Sequence, residues 1–279
     1  MNIRYLIPRL VRHFLPQRLV RFLLQRSIII RPGLETSDPK AAVGQYLEVL
    51  SHHSIALEGK KVLVFGYGGR FAVGVELLLL GADHVILCDK YALPDDQQNL
   101  KLLPTHEKYL IHQDGHVCPN ATYITLLEAD IKDVEVGQKI PPVDIVVSTS
   151  VYEHLDDVDG ITRALAALTK SEGVQLHFID LRDHFFKYPF EMLTYSEIVW
   201  KRWLNPTSNL NRYRLTDYER TFQRYFETSY FSTLDRNLEV FLITKPRIRP
   251  EFLTGDPDID SVTLLQVLAR SPRSAVGSL

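Results

Sequence analysis

The sequence predicts an α/β fold. The expected architecture is a doubly wound, seven-stranded, mostly parallel sheet with helices on both faces, a C-terminal antiparallel hairpin strand and a helical N-terminal arm. Three observations predict it. From about residue 58, short apolar runs alternate with helical patterns, which marks parallel strands joined by crossover helices. The first run, Val62-Leu-Val-Phe65, leads directly into a glycine turn, Gly66-Tyr67-Gly68-Gly69. Near the end, two strand-like runs at 227–234 and 238–244 are separated only by Asp235, Arg236 and Asn237, the spacing of a hairpin.

Taken in order, residues 1–36 form a basic amphipathic arm. Arg4, Arg9, Arg12, Arg18, Arg21 and Arg26 precede the first acid, Glu35, and apolar residues from Ile3 to Leu15 fall near helical spacing. Pro8 and Pro16 predict two short helices in place of one. Two readings of the arm stand: peripheral attachment to an anionic membrane surface, or packing against the domain or the second subunit of a homodimer, with solvated arginines. A domain over 37–249 follows. Ser37-Asp38-Pro39 starts a helix to about His53. Strands are expected at 62–65, 85–88, 123–127, 143–148 and 174–179, helices at 71–80 and 158–169, and a mixed, partly helical stretch at 91–121. Residues 185–226 are an insertion dense in aromatics and arginines, read as a substrate cap or as a small core of its own. Residues 250–279 read as a C-terminal extension with a helix around 261–269 and a disordered end.

Composition narrows the function classes. Hydrophobic residues make up 45% of 279, ample for a packed core. A net charge of −2 argues against a nucleic-acid partner. Cys88 and Cys118 give no disulfide scaffold, so a reducing cytoplasm is expected, with the arm at the inner face of the membrane in the first reading. There is no secretory signal pattern, and no apolar run reaches the ~18 residues a membrane span needs. No Cys or His cluster has metal-ligand spacing, so no metal is expected.

The chemistry centres on the glycine turn. Without a Cβ, Gly66 and Gly68 let backbone approach a ligand, and the helix that follows adds unpaired N–H donors. The second strand ends at Asp89, about 20 residues on, where a carboxylate can accept from ribose hydroxyls. Dinucleotide-binding dehydrogenases share this arrangement, but their third glycine position is Phe71 here. The third strand ends in Glu128-Ala129-Asp130-Ile131, an acid for an exocyclic adenine amine and an apolar wall for the ring.

Over roughly residues 58–246, these motifs in this order resemble the class I S-adenosylmethionine-dependent methyltransferase superfamily, in its small-molecule and glycan type from bacterial biosynthetic clusters. The resemblance implies S-adenosyl-L-methionine as cofactor. Gly66, Tyr67, Gly68 and Gly69 would cradle its methionine part, Asp89 would hold its ribose with Lys90 and Tyr91 beside the adenosine, and Asp130 with Ile131 would hold its adenine. Ser148 and Ser150 sit in the stretch Asp144–Leu155 that resembles the fourth-strand motif, where cofactor and acceptor meet. Two departures stand out. Arg70 replaces a smaller residue. Ser148-Thr149-Ser150 stands where amino-methylating enzymes carry Asp or Asn before Pro-Pro-Tyr, which argues against N-methylation of nucleic-acid bases or amides.

Oxygen acceptors often need a general base. His184, after the fifth strand, is the first candidate, with Asp180 or Asp183 to orient it; His154 is the second. The alternative reading is that they only cap a helix or line a pocket wall. Arg182, Tyr195, Asn211 and Arg212 are candidate substrate contacts, with Asn209 beside them. The expected function is O-methylation of a small molecule, sugar or lipid-linked acceptor. A nicotinamide-dependent oxidoreductase and a catalytically inactive scaffold on the same fold are the alternatives.

Overall fold

The computed structural model describes residues 2–14, 38–133, 140–185, 187–205 and 209–273. The main sheet contains β1 (Lys61–Phe65), β2 (His84–Cys88), β5 (Ile124–Leu127), β6 (Val143–Thr149), β7 (Thr169–Asp180), β8 (Phe226–Arg236) and β9 (Val262–Pro272). Their spatial order is β5-β2-β1-β6-β7-β9-β8. All pairs are parallel except those of β9, which runs antiparallel to both β7 and β8. This is the seven-stranded, mostly parallel, doubly wound sheet that the sequence predicts. Its strand order reverses at β1, so a crevice opens at the carboxyl ends of β1 and β6.

The central strands are apolar throughout because both faces are covered. On one face Val62, Val64, Val85 and Leu87 pack with Tyr46, Leu50 and Leu77. On the other, Leu63, Ile86 and Val146 pack with Ile161, Leu165 and Phe222. The helices supplying these residues are α2 (Pro39–His52), α3 (Ala72–Leu79), α5 (Val158–Leu168) and α6 (Leu215–Tyr225). Asp38 caps α2, its carboxylate accepting from the Ala41 amide at 3.0 Å, and Pro39 fills the first turn as expected.

Four elements differ from expectation. The N-terminal helix α1 (Ile3–Phe14) runs through Pro8 without breaking. The predicted second helix of the arm lies outside the described residues; of the final ten residues, expected to be disordered, 270–272 end a sheet strand and 274–279 lie outside the described residues. The stretch at 91–121 holds a separate hairpin, β3 (Leu110–Gln113) with β4 (His116–Pro119), as well as the helix α4 (Asp96–Leu102). The run at 238–244 is a helix, α7 (Leu238–Thr244), whose start Asn237 caps by accepting from the Val240 amide at 3.1 Å. The partner of β8 is instead 262–272, expected to be a helix within an extension; it lies inside the sheet.

Residues 190–204 and Leu210 of the expected insertion build a third core, while 213–226 pack with the main sheet instead. Phe190, Trp200, Leu204 and Leu210 pack with Phe241 and Ile248, and Leu6 and Leu10 of α1 pack against them. Arm and cap are therefore one packing unit. Arg9 of α1 is buried there, paired with the fully buried Asp183 and donating to the Leu204 carbonyl at 2.6 Å; Asp183 also accepts from the Tyr5 hydroxyl. The expectation of solvated arginines fails at Arg9, because its guanidinium is the counter-charge that lets Asp183 stay buried.

His177, in the middle of β7, is fully buried and its pKa is pushed down to about 3 by burial. Its Nε2–H donates to Gln175 Oε1 at 3.1 Å, so Nδ1 accepts from the Ser148 hydroxyl at 2.7 Å and the ring is neutral. An unfolded histidine takes a proton near pH 6.5, and the folded one does not until about pH 3. Stability therefore falls as pH drops from 6.5 to 3, by up to about 1.4 kcal/mol per pH unit from this group. In urea unfolding between pH 6.5 and 4.5, His177→Gln is expected to flatten the pH slope by one proton; parallel slopes for the two proteins would refute this account.

Candidate functional site

A pocket of about 300 Å³ opens at the carboxyl ends of β1, β2, β5 and β6. Its walls include Phe65 and Gly66 after β1, Asp89 and Lys90 after β2, Asp130 and Ile131 after β5, and Ser150, Val151 and His154 after β6. Six of the ten residues expected to hold a cofactor thus meet in one cavity.

The glycine turn is held from outside. Gly66 has φ +84 and Gly69 φ +82, the left-handed region that favours glycine. A Cβ on Gly66 would lie 2.4 Å from Val151 Cγ2, and one on Gly69 would lie 2.3 Å from the Leu93 carbonyl oxygen. The buried Asn99 closes the turn: its Nδ2 donates to the Gly69 carbonyl at 3.0 Å, and its Oδ1 accepts from the Phe71 amide at 2.9 Å. Phe71 is fully buried and stacks on Tyr67, so it packs the helix start into the core. Of the turn, Gly66 lines the pocket and Tyr67, Gly68 and Gly69 do not. The Tyr67 hydroxyl is buried with no hydrogen-bond partner, and burial, with Glu128 and Asp89 nearby, raises its pKa.

Asp89 joins the turn to the loop after β2. Its Oδ1 accepts from the Tyr91 and Ala92 amides at 2.8 and 2.9 Å, and its Oδ2 from the Gly68 amide at 3.2 Å. A carboxylate has about four acceptor positions, so Oδ2 keeps capacity for a ligand hydroxyl. Asp130 is gripped by Lys90 Nζ at 2.8 Å and the Lys132 amide at 3.0 Å. Partial burial pushes its pKa up, but these two donors outweigh it and the carboxyl stands below its ordinary range.

The loop after β6 is the most constrained part of the site. Ser150 has φ +55, unusual for a residue with a side chain. Asn211 Nδ2 donates to the carbonyls of Tyr152 (2.7 Å) and Leu155 (3.1 Å), its own amide to the Glu153 carbonyl (2.8 Å), and Asn209 Nδ2 to the His154 carbonyl (2.9 Å). Every carbonyl from 152 to 155 is thus taken by one short segment of the cap.

Several expected residues are placed elsewhere. Ser148 is fully buried and bonded to His177, not directed at the pocket. Asp183 serves Arg9 and Tyr5, and Asp180 is held by Arg182 through both oxygens at 2.8 and 2.6 Å, so the carboxylates expected to orient His184 have other partners. Arg212 is buried, spanning the Met192 and Tyr195 carbonyls and Glu197. Tyr195 stacks on Tyr5 at 5.8 Å. Asn211, Arg212 and Tyr195 therefore build the cap, and none of them lines the pocket. The polar groups of Asn211 and Arg212 are spent on the cap and the loop beneath it, and the Tyr195 hydroxyl is buried away from the pocket, which a motif reading cannot show.

His184 and His154 do come together, ring centroids 4.8 Å apart. Beside them is Glu153, to which the sequence analysis gives no role. It is buried, no side chain bonds its carboxylate, and burial raises its pKa well above the ordinary value despite the Glu153 and Asp180 amides that face it. One donor atom from each of the three lies within 4.8 Å of the others. The signal was the adjacency Glu153-His154 beyond a strand end; the contribution of His184 needs the fold.

No family model matches the chain, and no curated protein matches it. Solved structures of similar shape include an S-adenosylmethionine-dependent methyltransferase assigned from Listeria monocytogenes, 13% identical, with a TM-score of 0.43 over 83% of this chain and 100% of that one. Phosphoethanolamine N-methyltransferase 2 of Haemonchus contortus, with phosphomonomethylethanolamine and S-adenosylhomocysteine, is 16% identical, with a TM-score of 0.49 over 82% of this chain and 53% of that one. TehB of Haemophilus influenzae is 16% identical, with a TM-score of 0.45 over 85% and 65%. At TM-scores below 0.5 these likenesses carry no argument about chemistry, and the reading of the site rests on its own geometry.

Gly69→Ala places a Cβ against a backbone oxygen in a left-handed conformation. The expected loss is about 1–3 kcal/mol in chemical denaturation. An unchanged midpoint would show that the turn can relax around a side chain.

Proposed function

We propose that this chain is an S-adenosylmethionine-dependent methyltransferase that methylates a hydroxyl of a small molecule, a sugar or a lipid-linked acceptor. The observation that carries the reading is the placing of Asp89, with a free acceptor position on Oδ2, between the glycine turn and the Asp130-Ile131 wall of one pocket. This donor and acceptor set fits the cofactor. Asp89 would take ribose hydroxyls, Ile131 with Leu155 the faces of the adenine, Asp130 its amine, and the turn at Gly66–Gly69 the amino-acid part. The bound cofactor supplies a methyl group already activated on a sulfonium. What remains for this chain is to align an acceptor and hold its proton. His154 lines the same cavity on a loop whose backbone is fully tied, which supports it as the group facing an acceptor hydroxyl.

The lipid-linked option draws support from α1. Its inner face carries Tyr5 and Arg9, while Ile3, Ile7, Val11 and Phe14 are 55–72% exposed on the outer face. Trp203, 5.5 Å from His13, and Ile198 extend this apolar surface on the cap, with Arg202 over the Trp203 ring. Apolar residues flanked by arginines at this spacing suit the headgroup region of an anionic bilayer. No described helix is long and apolar enough to cross a membrane.

Calorimetric titration with S-adenosylhomocysteine is expected to give micromolar binding, weakened roughly 10- to 100-fold in Asp89→Ala by loss of charge-assisted hydrogen bonds. Binding of NAD(H) or NADP(H) in its place would overturn the reading. On sedimentation with anionic phosphatidylglycerol vesicles, the protein is expected to pellet and Ile7→Glu/Phe14→Glu to stay in solution. Equal partition of both proteins would remove the membrane surface from the proposal.

A further inference from the structure

We propose that Glu153, His154 and His184 form a binding site for a divalent transition cation, of the zinc, manganese or iron(II) class, at the acceptor side of the pocket. The inference deepens the proposed function by giving that pocket a second means of holding an acceptor oxygen, but the cation site stands on separate observations.

The first is convergence. Two imidazoles and a carboxylate, from the loop after β6 and the loop after β7, bring one ligand atom each to within 4.8 Å of the others. Metal–ligand bonds of about 2.0–2.2 Å put such atoms about 3–4 Å apart, a contraction of an ångström or so that side-chain torsions can supply. The second is the state of Glu153. Its carboxylate is buried with no side-chain partner, and only the Glu153 and Asp180 amides face it. A buried polar group without a partner is costly, and a carboxylate more so unless a charge or a metal meets it. A bound cation provides that charge.

The third observation is rigidity. A metal site depends on the outer contacts that orient its ligands. Here the carbonyls of Glu153 and His154 are held by the Asn211 amide and the Asn209 side chain, and the flanking Tyr152 and Leu155 carbonyls by Asn211 Nδ2. Two adjacent ligands are therefore presented on backbone that cannot easily turn away. Finally, His154 lines the pocket. Three protein ligands leave coordination positions for an oxygen from the acceptor, as in sites that bind substrate at the metal. Two imidazoles with one carboxylate favour a transition cation over calcium or magnesium, which take oxygen ligands. In this reading His154 and His184 serve as ligands, and acidification of an acceptor hydroxyl falls to the cation.

The test is stoichiometric. Full-length protein stripped with chelator is titrated calorimetrically with zinc chloride and manganese chloride, and metal retained after gel filtration is measured by elemental analysis. One cation per chain is expected, with affinity weakened about tenfold or more in Glu153→Gln and in His184→Ala. Far-UV circular dichroism and S-adenosylhomocysteine titration on the same samples control for folding. Absence of a bound cation in the wild type, or equal binding in folded variants, overturns the site; in the second case the metal sits on other histidines. Absence of a bound cation from the wild type with S-adenosylhomocysteine binding intact refutes this inference alone. Cation binding without S-adenosylhomocysteine binding refutes the methyltransferase reading and leaves the site standing.

Discussion

The carboxylate of Asp89 ties together the two loops on which the pocket is built. It takes the Gly68 amide from the turn after β1 and the Tyr91 and Ala92 amides from the loop after β2. These amides take part in no strand ladder or helix, and the carboxylate is the partner that satisfies them. A charged acceptor makes each bond stronger than a neutral one would. The position of this single side chain follows from β2 ending where it does, level with Phe65 of β1 in the parallel register. Sheet register thus fixes the floor of the site before any ligand enters.

The second constraint comes from the cap. Residues 209–211 reach across to the loop after β6, while the cap's own core rests on α1 through Leu6, Leu10 and the Arg9–Asp183 pair. Breaking one partner of such a buried pair costs about 3–5 kcal/mol, because the other is left as an uncompensated charge. Asp183 lies one residue from His184, so the arm bears on the pocket mouth without touching it.

Much of this was legible in the sequence, and the failures share a cause. The parallel strands were readable because buried strands are apolar without interruption and end in glycine or acid. The glycine turn, Asp89, Asp130, Ile131 and Ser150 were readable because strand ends are where ligands bind in such sheets. At 238–244 and 262–272 helix and strand were exchanged, since short apolar, β-branched runs carry no period to separate them. Asn237 looked like a turn residue and is a helix cap; both roles use the same short amide side chain. The β3–β4 hairpin had its signal in Asp114-Gly115, both at positive φ, but its polar flanks hid it. Side-chain direction was not legible at all. Ser148 and Ser150 are two apart on a strand end, yet one faces the core and the other the cavity. Arg212 and Asn211 have the chemistry of ligand contacts and spend it on carbonyls of their own chain.

The placing of β9 between β7 and β8 bears on how the chain can assemble. β7 and β8 precede β9 in the sequence and do not pair with each other. Until residues 262–272 emerge, each of them presents an unsatisfied ladder of amides and carbonyls, the exposed edge on which chains pair wrongly. A nascent chain that has completed every other strand therefore still lacks the wedge that closes its sheet. The final step is insertion of a late, long-range strand, the kind of contact that folds slowly. During synthesis the vulnerable interval is the one between release of β8 and arrival of β9, when a chaperone that shields strand edges would have most to do.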